Sequence, residues 1–359
     1  MRAYTNVDAA AQRFPIAEQD MEFCRSIEQN GGLPFLLTEH MASLLETLFE
    51  RKSDAFDAMY RQCIPTKAEE TVLSCELQDP LGAHLYQVCP RLIHQYRSRC
   101  LLLTTARCFS YCRHCFRRSY MAQREGFITD AELAPVCEYL AAHEEVQEIL
   151  CSGGDPLTAG DDALERLFTA LRRARPGVLL RVCTRAPVFF PERITPRLAA
   201  LFKAFRPLWV IPHVNHPAEI DAGVSAGSVR AFSLLLDAGI PMQSQTVLLR
   251  GVNDSAQTLA SLFQRLTELG IKPGYLFQGD LARGTSHLRV PPRQGLALYA
   301  ELRALLSGLS CPVYAVDLPG GGGKCNMLQL DSAAFSPKVY REPQGYRFVS
   351  EAGSWFYPY

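Results

Sequence analysis

The chain has 359 residues, 48% of them hydrophobic and 21% charged, enough for one large domain with an appendage and too apolar for a disordered chain. Lys and Arg together number 37, as do Asp and Glu, so no global positive field favours nucleic acid and the expected partner is a small molecule. No stretch approaches the ~20 apolar residues that span a bilayer, which sets membranes aside as well.

The N-terminal sequence lacks a basic start, an apolar run and a small-residue cleavage site, so no export signal is expected. Thirteen cysteines, an odd number in a long chain, fit a reducing, cytoplasmic location with some thiols on metal. Others, such as Cys137, Cys151 and Cys183, lie in apolar runs and read as core.

Apolar positions at three-and-four spacing over 34–60 predict helices, and residues 1–95 read as a mainly helical extension. From residue 101 the pattern changes to β-prone runs over 101–105, 147–152, 179–184, 208–213, 242–249 and 274–278. Amphipathic stretches over 130–144, 161–173, 196–205, 228–238, 256–269 and 292–306 alternate with them. Six βα units in this order predict an α/β fold with a partial, six-stranded βα barrel over 96–310. A further apolar run over 312–316 leads to Asp317 and a glycine loop, within a C-terminal segment over 311–359.

Polar residues collect at the ends of the predicted strands. In order they are Cys108, Cys112 and Cys115; Gly153, Gly154 and Asp155; Thr184 and Arg185; His213 and His216; Gln245, within the fifth run; and Asp280. A βα barrel builds its active site along that edge. Any one of these is an ordinary loop beginning, but six in succession argue for a site.

Cys108-Phe-Ser-Tyr-Cys112-Arg-His-Cys115 places three thiols within eight residues. Four-iron clusters normally use four thiolates, so three leave one iron open, as in the CxxxCxxC loops of the radical S-adenosylmethionine superfamily. The rival readings are a zinc site with His114 as fourth ligand and unrelated core cysteines. Gly153-Gly154-Asp155 resembles the superfamily's glycine-rich element for the methionyl amine, with glycine allowing close backbone approach. By itself it is a commonplace turn.

Pro319-Gly320-Gly321-Gly322-Gly323-Lys324 is not a nucleotide loop, because Leu318 and Cys325 stand where a P-loop needs glycine and a hydroxyl residue. A lysine on a glycine loop can bind an aldehyde cofactor, usually pyridoxal phosphate; a mobile turn with a solvated lysine is the alternative.

These segments together resemble the lysine 2,3-aminomutases. The resemblance runs in order over 65–348, through Asp79-Pro80-Leu81, the cysteine loop to Arg118, Ser152 to Asp155, Arg185-Ala-Pro187, Pro191-Glu-Arg-Ile194, His213-Val-Asn-His-Pro217, Val247 to Asp254 and Asp317 to Lys324. It implies a radical S-adenosylmethionine type of barrel and a [4Fe-4S] cluster on Cys108, Cys112 and Cys115. S-adenosyl-L-methionine would lie near Gly153, Gly154, Asp155, Arg185 and Gln245. It further implies pyridoxal 5'-phosphate on Lys324 with Arg99 at its phosphate, Arg117 on the substrate carboxylate, and Asp280 and Asp317 on the distal ammonium of lysine. Conversion of L-lysine to β-lysine follows, with an electron donor such as flavodoxin or ferredoxin.

Three departures stand out. Gln95 replaces a second phosphate arginine, whose place Arg97 could take. The family's C-terminal zinc cysteines have no counterpart beyond Cys325, and Ser255 replaces their partner, so a homo-oligomer without structural zinc is expected. Two other functions compete: a β-lysine synthase serving elongation factor P, which shares Gly153 to Leu157 but lacks the Lys324 loop, and an iron–sulfur carrier or sensor, which has no need of Lys324, Arg117 or the two aspartates.

Overall fold

Alternation along the strands builds the barrel. In the computed structural model, which describes residues 2–27, 32–123, 125–329, 338–350 and 353–358, seven parallel strands form one arc. They are β1 (Arg99–Thr105), β2 (Glu148–Gly153), β3 (Leu179–Thr184), β4 (Leu208–Pro212), β5 (Gln243–Val247), β6 (Lys272–Phe277) and β7 (Val313–Leu318). Continuous parallel ladders join β1 to β4 and β5 to β7. Bridges from Val210 to Met242 and from His213 to Gln245 span the step between β4 and β5. In β2 and β3 a buried residue alternates with a half-buried one. Ile149, Cys151, Leu180 and Val182 belong to the main core with the helices, which turns Leu150, Ser152, Arg181 and Cys183 toward the inner face.

Helices α1 (Asp130–Ala142), α2 (Asp161–Ala174), α3 (Pro196–Ala204), α4 (Ala226–Asp237), α5 (Ala256–Glu268) and α6 (Pro292–Leu305) cover the outer face. In α2, Leu164, Leu167, Phe168 and Leu171 are buried at three-and-four spacing, with arginines on the last turn. Thr129 and Glu132 make a capping box for α1. Ser255 caps α5 by accepting from Thr258 N at 3.1 Å. No helix among the described residues is long and apolar enough to cross a membrane.

The differences from the sequence expectation lie at the edges. The run over 312–316 is a seventh barrel strand, because Val313, Tyr314 and Ala315 pair with β6. Residues Leu92–Tyr96 form a strand antiparallel to β1, so the end of the N-terminal extension is part of the sheet. At the other edge Gly323–Asn326 runs antiparallel to β7. The fifth strand stops at Val247 because Leu249 turns away to pack with Ala58, Val252 and Leu288. Beyond β7, Lys338–Glu342, Gly345–Ser350 and Gly353–Pro358 make a small antiparallel sheet.

Helices Glu18–Ile27, Glu39–Glu50 and Ala55–Cys63 precede the barrel, and Glu69 fastens this extension to the cysteine loop. Its carboxylate accepts from Arg113 Nε at 2.8 Å and Nη2 at 2.7 Å, and from Arg118. Arg113 also donates to the Leu33 and Pro34 carbonyls, each at 3.0 Å. Burial pushes the Glu69 pKa up, but the two guanidinium charges overcome it and hold the carboxyl below its ordinary value. Glu69→Ala leaves the buried Arg113 and the half-buried Arg118 uncompensated, and should lower the unfolding free energy by about 3–5 kcal/mol in urea titrations.

Candidate active site

Past β1 the chain enters the loop bearing Cys108, Cys112 and Cys115, three half-buried free thiols. Burial pushes the Cys108 thiol well above its ordinary range and the Cys115 thiol up to about 11, so both must lose protons before binding iron. Among the described residues no three His, Cys, Asp or Glu side chains form a group able to hold a single metal ion. A four-iron cluster asks for a different set, since each thiolate binds its own iron, and three thiols on one short loop suit it. His114, the alternative zinc ligand, has its ring 5.3 Å from that of His213 and its Nε2 at 3.4 Å from Asn215 Nδ2. Burial, then the neighbouring His213, keeps its pKa well below the ordinary value.

Arg185 links this loop to the barrel. It donates to Cys112 Sγ at 3.0 Å and to Gln62 Oε1 at 3.2 Å, pairs with Glu219 at 2.5 Å, and stacks 4.1 Å over Phe189. Only its buried Nε lacks a partner. Asp155 is likewise engaged within the chain: it accepts from Thr184 Oγ1 at 2.8 Å, Arg185 N at 2.8 Å and Leu157 N at 3.0 Å. It therefore locks the end of β2 to the end of β3.

At Gly154 an added β-carbon would lie 2.2 Å from the Arg107 carbonyl oxygen, while Asp155 N donates to that oxygen at 2.8 Å. Together with Gly153, whose φ is +105°, it lets the end of β2 lie against the start of the cysteine loop. The absence of a side chain at Gly154 is thus required by the chain's own backbone at Arg107. Gln245 sits half-buried in β5 between buried Ser244 and Thr246, on the inner-face alternation.

Across the mouth, Lys324 Nζ donates to both Asp317 oxygens at 2.9 and 2.8 Å and lies 3.9 Å over the Phe277 ring and 5.1 Å over Tyr275. Its backbone N–H donates to Tyr96 Oη at 2.8 Å, and the Arg99 guanidinium stacks 3.8 Å over that same tyrosine. Arg99 is thus one ring away from Lys324, an arrangement that fits an aldehyde cofactor with a phosphate. Gln95 donates to the Gly321 carbonyl at 3.0 Å, holding the loop. Arg97 is exposed in the turn between Tyr96 and Arg99.

Arg117 and Asp280 complete the group. The Arg117 pKa is lowered by burial, against the charges of Cys115, Cys183, Asp280 and Asp317. Burial first, and then the Asp317 charge, push the Asp280 carboxyl up to about 7, against Lys324, Arg117 and Arg289. These mutual influences bring four residues from four segments into one electrostatic unit. Tyr96, Gln62, Glu219, Tyr275 and Phe277 were not picked out from sequence; only the alternation of Tyr275 and Phe277 around buried Leu276 offered a signal.

The Radical SAM superfamily profile matches residues 102–263. A Treponema pallidum (strain Nichols) protein provisionally named L-lysine 2,3-aminomutase is 46% identical over 90% of this chain and 90% of its own. The L-lysine 2,3-aminomutase of Clostridium subterminale is 37% identical over 83% of this chain and 69% of its own. The glutamate 2,3-aminomutase of Clostridioides difficile (strain 630) is 30% identical over 90% and 74%. With the cysteine loop, the barrel and this degree of identity over most of its length, the chain belongs to the lysine 2,3-aminomutase family of radical S-adenosylmethionine enzymes.

Proposed function

We propose that this enzyme moves the α-amino group of L-lysine to the β-carbon, with Cys108, Cys112 and Cys115 holding the cluster and Lys324 holding pyridoxal phosphate. The observation that carries this reading is the charge set at the mouth: Asp317 pairs with Lys324, and Asp280 and Asp317 act electrostatically on each other and on Arg117. Bound, the cluster supplies the electron that cleaves S-adenosylmethionine, and pyridoxal phosphate supplies the carrier for the migrating nitrogen.

The chain's own residues bind and orient. Arg117 offers a carboxylate partner near the cluster loop, and Asp280 and Asp317 offer two anions for a distal ammonium. Asp317 pairs with Lys324; once Lys324 is committed to the aldehyde, the ammonium of a bound lysine offers that carboxylate a cation in its place. Arg99, stacked on Tyr96, supplies a cation for the phosphate. A glutamate substrate would bring its distal carboxylate against two like charges, which favours lysine over the substrate named for the C. difficile relative. A one-electron donor such as flavodoxin or ferredoxin belongs to the same reading.

Four outcomes test it. Alanine at Cys108, Cys112 and Cys115 together should strip the iron and the visible charge-transfer absorbance after anaerobic reconstitution; parental iron content in the triple variant would refute the assignment. Borohydride treatment of the loaded enzyme should fix pyridoxal phosphate on Lys324, and peptide mapping that recovers it on Lys272 would move the site elsewhere.

Asp280→Asn or Asp317→Asn should cost about 3–5 kcal/mol, roughly a hundred- to a few-thousand-fold in kcat/KM for lysine, with iron and pyridoxal phosphate content unchanged. Asp280 is neutral below its raised pKa and charged above it. In the parent, kcat/KM for lysine should therefore rise through about pH 7 and level off above it. Asp280→Asn should lack that limb, and an unchanged profile, or a preference for glutamate, would sink the lysine reading.

A further inference from the structure

The last strand, Gly353–Pro358, pairs with Gly345–Ser350 in the small C-terminal sheet, yet its side chains reach the barrel mouth at two points. Tyr357 is buried. Its hydroxyl donates to the Gly279 carbonyl and accepts from Gln278 Nε2 at 3.1 Å. Gln278 is fixed in turn, donating to the Val290 carbonyl at 2.6 Å and accepting from the Tyr314 hydroxyl. Gln278 and Gly279 are the two residues that separate the end of β6 from Asp280. On the far side, Arg289 pairs with buried Glu76 at 2.6 Å and donates from Nε to the Asp280 carbonyl at 3.2 Å.

The second point is Trp355, two residues earlier and so on the same face of the strand. It lies directly on Gly320: a β-carbon there would come 1.8 Å from the indole ring. Gly320, at φ +63°, begins the turn that delivers Lys324. One strand therefore touches the turn before Asp280 and the loop before Lys324.

We infer that Tyr357 is a positioning residue for the substrate's distal ammonium: through Gly279 it sets where the Asp280 carboxylate stands, while Trp355 ties the same strand to the Lys324 loop. The inference rests on the assignment of Asp280 to the substrate ammonium. Tyr357→Phe removes one hydroxyl and keeps the ring. In the full chain loaded with cluster and pyridoxal phosphate, it should raise KM for lysine roughly tenfold, the worth of one buried hydrogen bond, with kcat changed less than about twofold. Iron content and the cofactor on Lys324 should be unchanged. In the Asp280→Asn background the same change should add less than about twofold to KM, because the turn then presents no carboxylate.

A parental KM in Tyr357→Phe, or a full tenfold effect on top of Asp280→Asn, would overturn the inference. Kinetics taken well below each variant's melting temperature separate a shifted KM from a lost fold. Where Tyr357→Phe does not fold, Tyr357→His keeps a polar ring for the Gln278 amide but shortens the reach to the Gly279 carbonyl, and the same KM shift is expected or the inference falls. Asp280→Asn alone distinguishes the two levels: if it leaves KM unchanged, the substrate assignment fails first; if it raises KM and Tyr357→Phe does not, only the positioning role fails.

Discussion

Glu69 stands where three parts of the molecule meet, and the site depends on it. Its carboxylate is nearly inaccessible and holds Arg113 and Arg118. Arg113 lies between the second and third cysteines, and Arg118 reaches the Gly284 carbonyl at 3.4 Å in the loop that follows Asp280. Removing these charges from water is costly unless each is matched and hydrogen-bonded. Here the anion takes two guanidinium groups and Arg113 spends its remaining donors on the Leu33 and Pro34 carbonyls. The loop that carries the three thiols is thereby pinned to the N-terminal extension.

The same logic recurs on a smaller scale around the mouth. Arg185 is buried against Glu219, Gln62 and Cys112, and Asp155 is buried against Thr184 and two backbone N–H groups. Each charged group at a strand end is satisfied by a partner on the next segment, which fixes strand ends relative to one another. Asp280 and Asp317 are the exceptions in degree. They share a space in which burial and mutual repulsion raise the Asp280 pKa, and only Lys324 and the nearby arginines offset it. A site that keeps two anions close together in this way is poised for an incoming cation.

Much of this was legible in the sequence. Leu179–Thr184 falls on the expected strand, and the other barrel strands fall within a few residues of theirs, because alternation and turn residues are local signals. The cysteine spacing and the Lys324 loop were legible for the same reason. Glu69 was not: it lies 44 residues from Arg113, in a segment with only a helical pattern. Tyr96 meets Lys324 across 228 residues and Tyr357 meets Gly279 across 78, and neither tyrosine differs in type from a core aromatic. The seventh strand was half visible, as an apolar run whose pairing partner could not be read from the run itself. The glycines before Asp155 were legible as a place of close approach, but the approach of the Arg107 backbone could not be read from sequence.

One consequence follows from how the arc is completed. The two antiparallel strands that flank the seven parallel ones, Leu92–Tyr96 and Gly323–Asn326, belong to separate sheets and share no ladder. They are joined by Gly320 N to the Pro80 carbonyl, by Tyr86 and Gln95 to the Gly321 carbonyl, and by Lys324 N to Tyr96. Each such bond contributes about 1 kcal/mol net, so parting this seam costs a few kcal/mol and leaves every strand paired. Unzipping any interior strand would break a whole ladder and expose the apolar face beneath it. Closure of the arc therefore rests on a few loop and side-chain bonds, while the integrity of its wall rests on the ladders, so the two depend on different residues.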